Sequence, residues 1–126
     1  MNMGTPERDQ FLWDIFVTAI EGGITYWARI DKYHHSHGGS IIDTPDLEGF
    51  SARIFDTESE KYHDIHRATI KLGLKRFHAK GNPLVNATML GEILSADTLD
   101  GTGEILDASA ADCIVQAGLF GEVIYG

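Results

Sequence analysis

The stretch GGITYWARIDKYHHSHGG, residues 22–39, decides the fold. From Ile24 to Tyr33 its side chains alternate. Ile24, Tyr26, Ala28 and Ile30 fall on one side, and Thr25, Trp27, Arg29, Asp31 and Tyr33 on the other. A period of two with one apolar side is the pattern of a half-buried strand. Gly22 and Gly23 separate it from what precedes. His34, His35 and His37, followed by Gly38 and Gly39, open a loop that runs to about Gly49 and carries a short extended piece at Ile41–Ile42.

On the N-terminal side, residues 5–21 (TPERDQFLWDIFVTAIE) predict a helix. Thr5 caps it, Pro6 suits its first turn, and Glu7 and Asp9 sit at the positive end of its dipole. Phe11, Leu12, Ile15, Phe16, Ala19 and Ile20 form an apolar face at helical spacing, and the two glycines stop it. On the C-terminal side, Phe50–Thr57 predicts a second strand, with Phe50, Ala52 and Ile54 on one face and Ser51, Arg53 and Phe55 on the other. An antiparallel pair with the first strand is the economical arrangement.

Residues 59–79 predict a second helix, with Tyr62, Ile65, Thr69, Leu72, Gly73 and Phe77 in one arc and Arg67, Lys71, Lys75 and His78 opposite. Leu84–Ser95 predicts a third. Asp107–Leu119 predicts a fourth, capped by Asp107 or Ser109, and Val123–Tyr125 is a short strand or docked tail. The expected fold is therefore α+β: a small antiparallel sheet packed with about four helices, in the order αββααα with an optional last strand, in one domain over residues 1–126.

The chain has 126 residues, 43% hydrophobic, which suits a packed core. No apolar run approaches the roughly 18 residues that span a bilayer. MNMGTPERDQ lacks the basic start of a signal peptide, and the single cysteine, Cys113, has no partner for an internal disulfide. A reducing cytoplasm is the expected location. The net charge of −9 is uneven: residues 61–80 hold six Lys or Arg against Asp64, while residues 81–126 hold seven acids and no Lys or Arg. An acidic surface repels nucleic-acid backbones and suits a basic partner, so neither direct nucleic-acid binding nor a membrane is expected.

Three clusters carry chemistry. If the two strands pair, Trp27, Arg29, Tyr33, Arg53 and Phe55 share a surface. Guanidinium forks recognise phosphate or carboxylate and rings stack on bases, so this surface suits a nucleotide-type small molecule. The same composition marks protein interfaces, and the face is otherwise simply covered by the second helix or a neighbouring subunit. Arg67 and Lys71 on the second helix extend the ligand-binding set toward phosphates. His35 and His37 in the loop, with His63 and His66 at i, i+3 on the expected helix, offer imidazoles to zinc or another transition metal. No H-E-x-x-H or C-x-x-C accompanies them, and no cofactor is expected. Cys113 lies on an apolar helical face and reads as a buried small residue. G-x-S-x-G, Walker A and G-x-G-x-x-G motifs are absent from the sequence.

Two blocks, DIFVTAIEGGITYWA and DASAADCIVQAGLFGEVIYG, resemble the two ends of a family of small acidic proteins of actinobacteriophages and actinobacterial mobile elements. There they recur as an EGG-I-x-YWA start and a DAD-x-IVQ-x-x-LFGEV-x-YG finish, covering about the first 30 and last 20 residues here. The family has no assigned reaction, so the resemblance implies a phage accessory gene expressed in a bacterial cytoplasm. A fainter likeness joins Gly22–Trp27 and Ala108–Val115 to ArdB-type antirestriction proteins, from which the long segment between the blocks departs. The expected function is non-enzymatic: a host-takeover or anti-defence protein that sequesters a nucleotide-type signal. The alternatives are an acidic inhibitor or DNA mimic binding a host protein, and a histidine-based metal-dependent enzyme. A homo-oligomer is expected, its apolar tail GLFGEVIYG adding a strand to a sheet or docking on a neighbour.

Overall fold

Five bulky side chains, Phe11, Leu12, Trp13, Ile15 and Phe16, drive helix α1 (Pro6–Thr18) into the core. The computed structural model describes residues 6–34, 49–79, 84–100 and 106–126. Beyond Thr18 the helix does not stop but loosens into a π-helical turn, Ala19–Gly23. Gly23 ends that turn under a steric demand: a Cβ there would lie 2.6 Å from the Ala108 carbonyl oxygen.

Alternation begins later than the residue pattern predicts. Residues 24–27 form turns, with the Ala28 N–H bonded to the Ile24 carbonyl, and β1 runs only from Ala28 to His34. It pairs antiparallel with β2 (Ser51–Asp56), and β2 pairs antiparallel with β3 (Lys61–His66), giving one sheet in the order β1-β2-β3. The inward face carries Ala28, Ile30, Ala52, Ile54 and Ile65 into the core.

The α+β class is as expected, with four α-helices and an antiparallel sheet, and three helices after the strands. The third strand is the addition. Residues 61–66, which the helical arc assigns to the second helix, are extended because Asp56 builds a tight loop before them. Its Oδ1 accepts the N–H groups of Glu58 (2.9 Å) and Ser59 (3.0 Å), and the Glu60 N–H closes onto the Asp56 carbonyl (2.8 Å). An aspartate that bonds its own downstream backbone is a turn former, and the chain reverses into a hairpin.

Helix α2 (Arg67–Phe77) therefore starts eight residues later than expected and buries Ile70, Gly73, Leu74 and Phe77, while Leu72 stays exposed. Helix α3 (Ala87–Thr98) starts where the Asn86 side chain accepts the Met89 N–H. Helix α4 (Ala108–Phe120) is capped by Asp107 and ends on Gly121 at φ 80°. α2 and α4 touch backbone to backbone: a Cβ on Gly73 would sit 2.1 Å from the Ile114 carbonyl oxygen, and one on Gly118 2.1 Å from that of Thr69. Arg8 and His78 both bond Asp97, tying α1 and α2 to the end of α3. No helix among the described residues is long and apolar enough to cross a membrane.

Candidate functional site

The sheet presents its other face outward, and strand pairing fixes what lies side by side there. Arg29 pairs with Phe55 and Phe55 with Tyr62; one row along, Lys32 pairs with Arg53 and Arg53 with Asp64. The Arg29 guanidinium carbon lies 4.4 Å over the Phe55 ring centroid, and that of Arg53 lies 4.4 Å over Tyr62. The two rings meet edge to face at 5.1 Å. Arg29, Arg53 and Tyr62 are exposed and Phe55 is half-buried. Among the described residues no carboxylate comes within ion-pair distance of either guanidinium. Each arginine thus sits over a ring in cation–π contact, with no ion pair to a described carboxylate.

Two members of the expected cluster are elsewhere. Tyr33 is removed by a β-bulge: the register shifts between Ile30 and Lys32, and beyond it Tyr33 pairs with Ala52 of the buried face. One extra residue exchanges the two sides of a strand, so Lys32 takes the place the alternation gives to Tyr33. Trp27 precedes the strand and is 1% exposed. Arg29, Arg53 and Phe55 come together as expected. Tyr62, missed as an arc residue of a helix, completes the set; reading KYHDIH with period two was the signal.

Arg67 is held on α1 by an ion pair with Asp9 and does not reach the ringed surface. With His66 and Lys71 it lines a recess of about 360 Å³ at the start of α2, closed by Gly49 and Phe50.

Around Trp27 the two sequence blocks singled out above become one network. The Trp27 indole N–H donates to Asp112 Oδ1 (2.8 Å), and the Tyr26 hydroxyl donates to Asp112 Oδ2 (2.6 Å). Gln116, one helical turn on and fully buried, donates to Asp112 Oδ1 (2.9 Å) and to the Tyr125 carbonyl (3.2 Å). Its Oε1 accepts the N–H groups of Ile124 and Tyr125, both at 2.8 Å. A side-chain amide thereby pairs with the tail as another strand would, which makes Val123–Tyr125 a docked tail. The Tyr125 ring stacks on Trp27 with centroids 5.0 Å apart, and its hydroxyl donates to the buried Asp56 (2.8 Å). Burial pushes the Asp56 carboxyl up. The Ser59 N–H, the Tyr125 hydroxyl and the Glu58 N–H outweigh it and hold the group down to about 2. Sequence reasoning missed Asp112, Gln116 and Tyr125; the sign available was two polar residues at i, i+4 within the apolar run of α4.

Tyr26, Asp112 and Cys113 line a cleft of about 610 Å³ with Met89 and Val123. Cys113 is half-buried here rather than sealed in the core, and burial, with Asp112 and Asp107 nearby, pushes its thiol up to about 11. At neutral pH it is a thiol, not a nucleophilic thiolate. Burial and the bond to Asp112 raise the Tyr26 hydroxyl as well.

The expected imidazole cluster is not assembled by β3. Residues three apart on a strand point to opposite faces. His63 pairs with Ile54 and lies 3.4 Å from Asp56, whereas His66 pairs with Ser51 and is exposed. His35 and His37 lie outside the described residues. Among the described residues no three His, Cys, Asp or Glu side chains come together as a metal-binding group.

Comparison with known proteins finds no matching family model, no matching curated protein and no matching solved structure.

Proposed function

We propose that this chain is a non-enzymatic binding protein, a phage accessory protein acting against a process of its bacterial host, and that it works by sequestering a nucleotide-type signal on the outer face of its sheet. One observation carries this reading: two guanidiniums lie over two neighbouring rings, Tyr62 exposed and Phe55 half-buried, with no carboxylate of the described residues within ion-pair distance. Flat cationic and aromatic surfaces stack on bases, while guanidinium edges bond phosphate oxygens. In a chain of net charge −9 such a surface is a local exception. The actinobacteriophage origin and the host-defence target rest on the likeness of the two terminal blocks.

The test is isothermal titration with AMP and the dinucleotide ApA, on wild type and on Arg29→Ala and Arg53→Ala. Stacking is worth about 1–3 kcal/mol per base, so each variant binds roughly 5- to 150-fold more weakly. Both side chains are exposed, so both variants keep the wild-type circular dichroism and melting temperature. If wild type binds neither compound, or both variants bind as wild type does, the proposal is wrong. Arginine beside exposed aromatics is also what anchors protein interfaces, and capture of a host protein sensitive to the same two substitutions supports that second reading.

A further inference from the structure

We infer that the recess at the start of α2 is the anion subsite of this same ligand, and that the ligand is a phosphorylated dinucleotide or longer rather than a mononucleotide. The inference rests on the sheet-face reading and adds a second contact to it.

The two places are joined by the register of the sheet. Phe55 pairs with Tyr62, Arg53 with Asp64 and Ser51 with His66, so the outer face runs from the ringed arginines down to the edge of the recess. His66 belongs to both: it ends β3 and lines the recess with Arg67 and Lys71. From Phe55 to Ser51 is four residues of strand, ~13 Å at about 3.3 Å per residue. In a mononucleotide a single sugar separates base from phosphate, a reach of roughly 6–8 Å at ~1.5 Å per bond. A base stacked at Phe55 and Tyr62 therefore places its own phosphate near Arg53, and only the phosphate of a second nucleotide arrives at the recess.

The recess has the chemistry to receive it. His66 and Lys71 are exposed, and both can donate to phosphate oxygens. Arg67 spends Nη2 on Asp9, but its Nε is buried without a hydrogen-bond partner among the described residues. That nitrogen is shielded from any ligand, but the side chain as a whole is 26% exposed and lines the recess, so its positive charge remains there. Among the described residues, Asp9, already engaged by Arg67, and Asp64, opposite Arg53, lie near this path. A dianionic phosphate is thus met by Lys71, His66 and part of Arg67 together.

Amide NMR with pyrophosphate tests the subsite by itself. The signals of Arg67, Ala68 and Lys71 are expected to shift saturably in wild type and to stay still in Lys71→Glu, whose exposed side chain leaves folding unchanged. Titration with pApA and ApA tests the length argument. One charge-assisted contact makes pApA bind about tenfold more tightly than ApA, Lys71→Glu abolishes that difference, and Arg29→Ala weakens both compounds equally. If pyrophosphate shifts nothing, or pApA and ApA bind wild type alike, the subsite is refuted. Should Arg29→Ala still weaken both in that case, the sheet-face reading survives. If pyrophosphate shifts the recess signals but neither dinucleotide binds, the sheet-face reading fails and the two-site ligand fails with it.

Discussion

Replacing Gln116 by leucine isolates the device that docks the tail. The side chain is fully buried and nearly the same size as leucine, so the change leaves little void and no clash. What it removes is countable. The Ile124 and Tyr125 N–H groups lose their acceptor, the Tyr125 carbonyl loses a donor, and Asp112 keeps Trp27 and Tyr26 but loses its third donor. At ~1 kcal/mol net for each of these four hydrogen bonds, with little from the long 3.4 Å contact of Gln116 to the Tyr26 hydroxyl, the loss is about 4 kcal/mol with the tail in place. Tail residues can escape part of this by peeling into water, at the expense of the Tyr125 ring on Trp27. The expected loss is therefore ~2–4 kcal/mol in guanidinium unfolding followed by tryptophan fluorescence, together with faster hydrogen exchange at Ile124 and Tyr125. A loss below about 1 kcal/mol with both amides as protected as in wild type would show that the tail is held by its rings, and the reasoning would be refuted.

The Asp56 carboxyl, held at about 2 when folded against 3.8 unperturbed, makes the protein acid-sensitive in a defined window. A depressed folded value adds stability in full above 3.8, and this is lost as pH falls toward about 2. Tyr125→Phe removes one bond to the carboxylate, so its stability should fall less steeply across that window than wild type's in urea titrations at successive pH values; parallel curves would rule the linkage out. Gly73→Ala should lower stability by about 2–3 kcal/mol, because α2 and α4 must separate to admit the methyl group. Gly91→Ala in α3, with nothing within 4 Å of its Cβ, should raise it by up to ~1 kcal/mol, and equal effects in thermal melts would contradict the close crossing.

Much of this architecture is legible in the residues, and the exceptions have physical causes. α1 and α4 announce themselves through their apolar spacing, α4 also through its Asp107 cap, while the expected cap Thr5 of α1 lies outside the described residues. β2 is read correctly to within a residue at each end, since its buried face alternates cleanly. β3 is not, because Tyr62, Ile65 and Thr69 satisfy a helical arc as well as a strand, and the arbiter is the Asp56 loop, a side-chain bond to backbone rather than a pattern. Half of the candidate surface follows from alternation: Arg29, Arg53 and Phe55. The other half turns on a single inserted residue at Asp31, which no period reveals, and on turns at 24–27 that start β1 late and send Trp27 inward. Asp112 and Gln116 are invisible to a hydrophobicity reading because their partners, Trp27 and Tyr125, are brought to them only by the finished fold.

The bond between Trp27 and Asp112 spans 85 residues of chain. On a ribosome adding about 5–20 residues per second, Trp27 waits on the order of ten seconds before its carboxylate partner exists. Throughout that interval an indole meant for the interior has no lid, and α1 has no α4 to close against. Synthesis of this molecule is therefore close to all-or-nothing. The nascent chain carries sticky, unfinished surface until α4 emerges, and a premature stop anywhere before Tyr125 leaves the ring stack over Trp27 unmade.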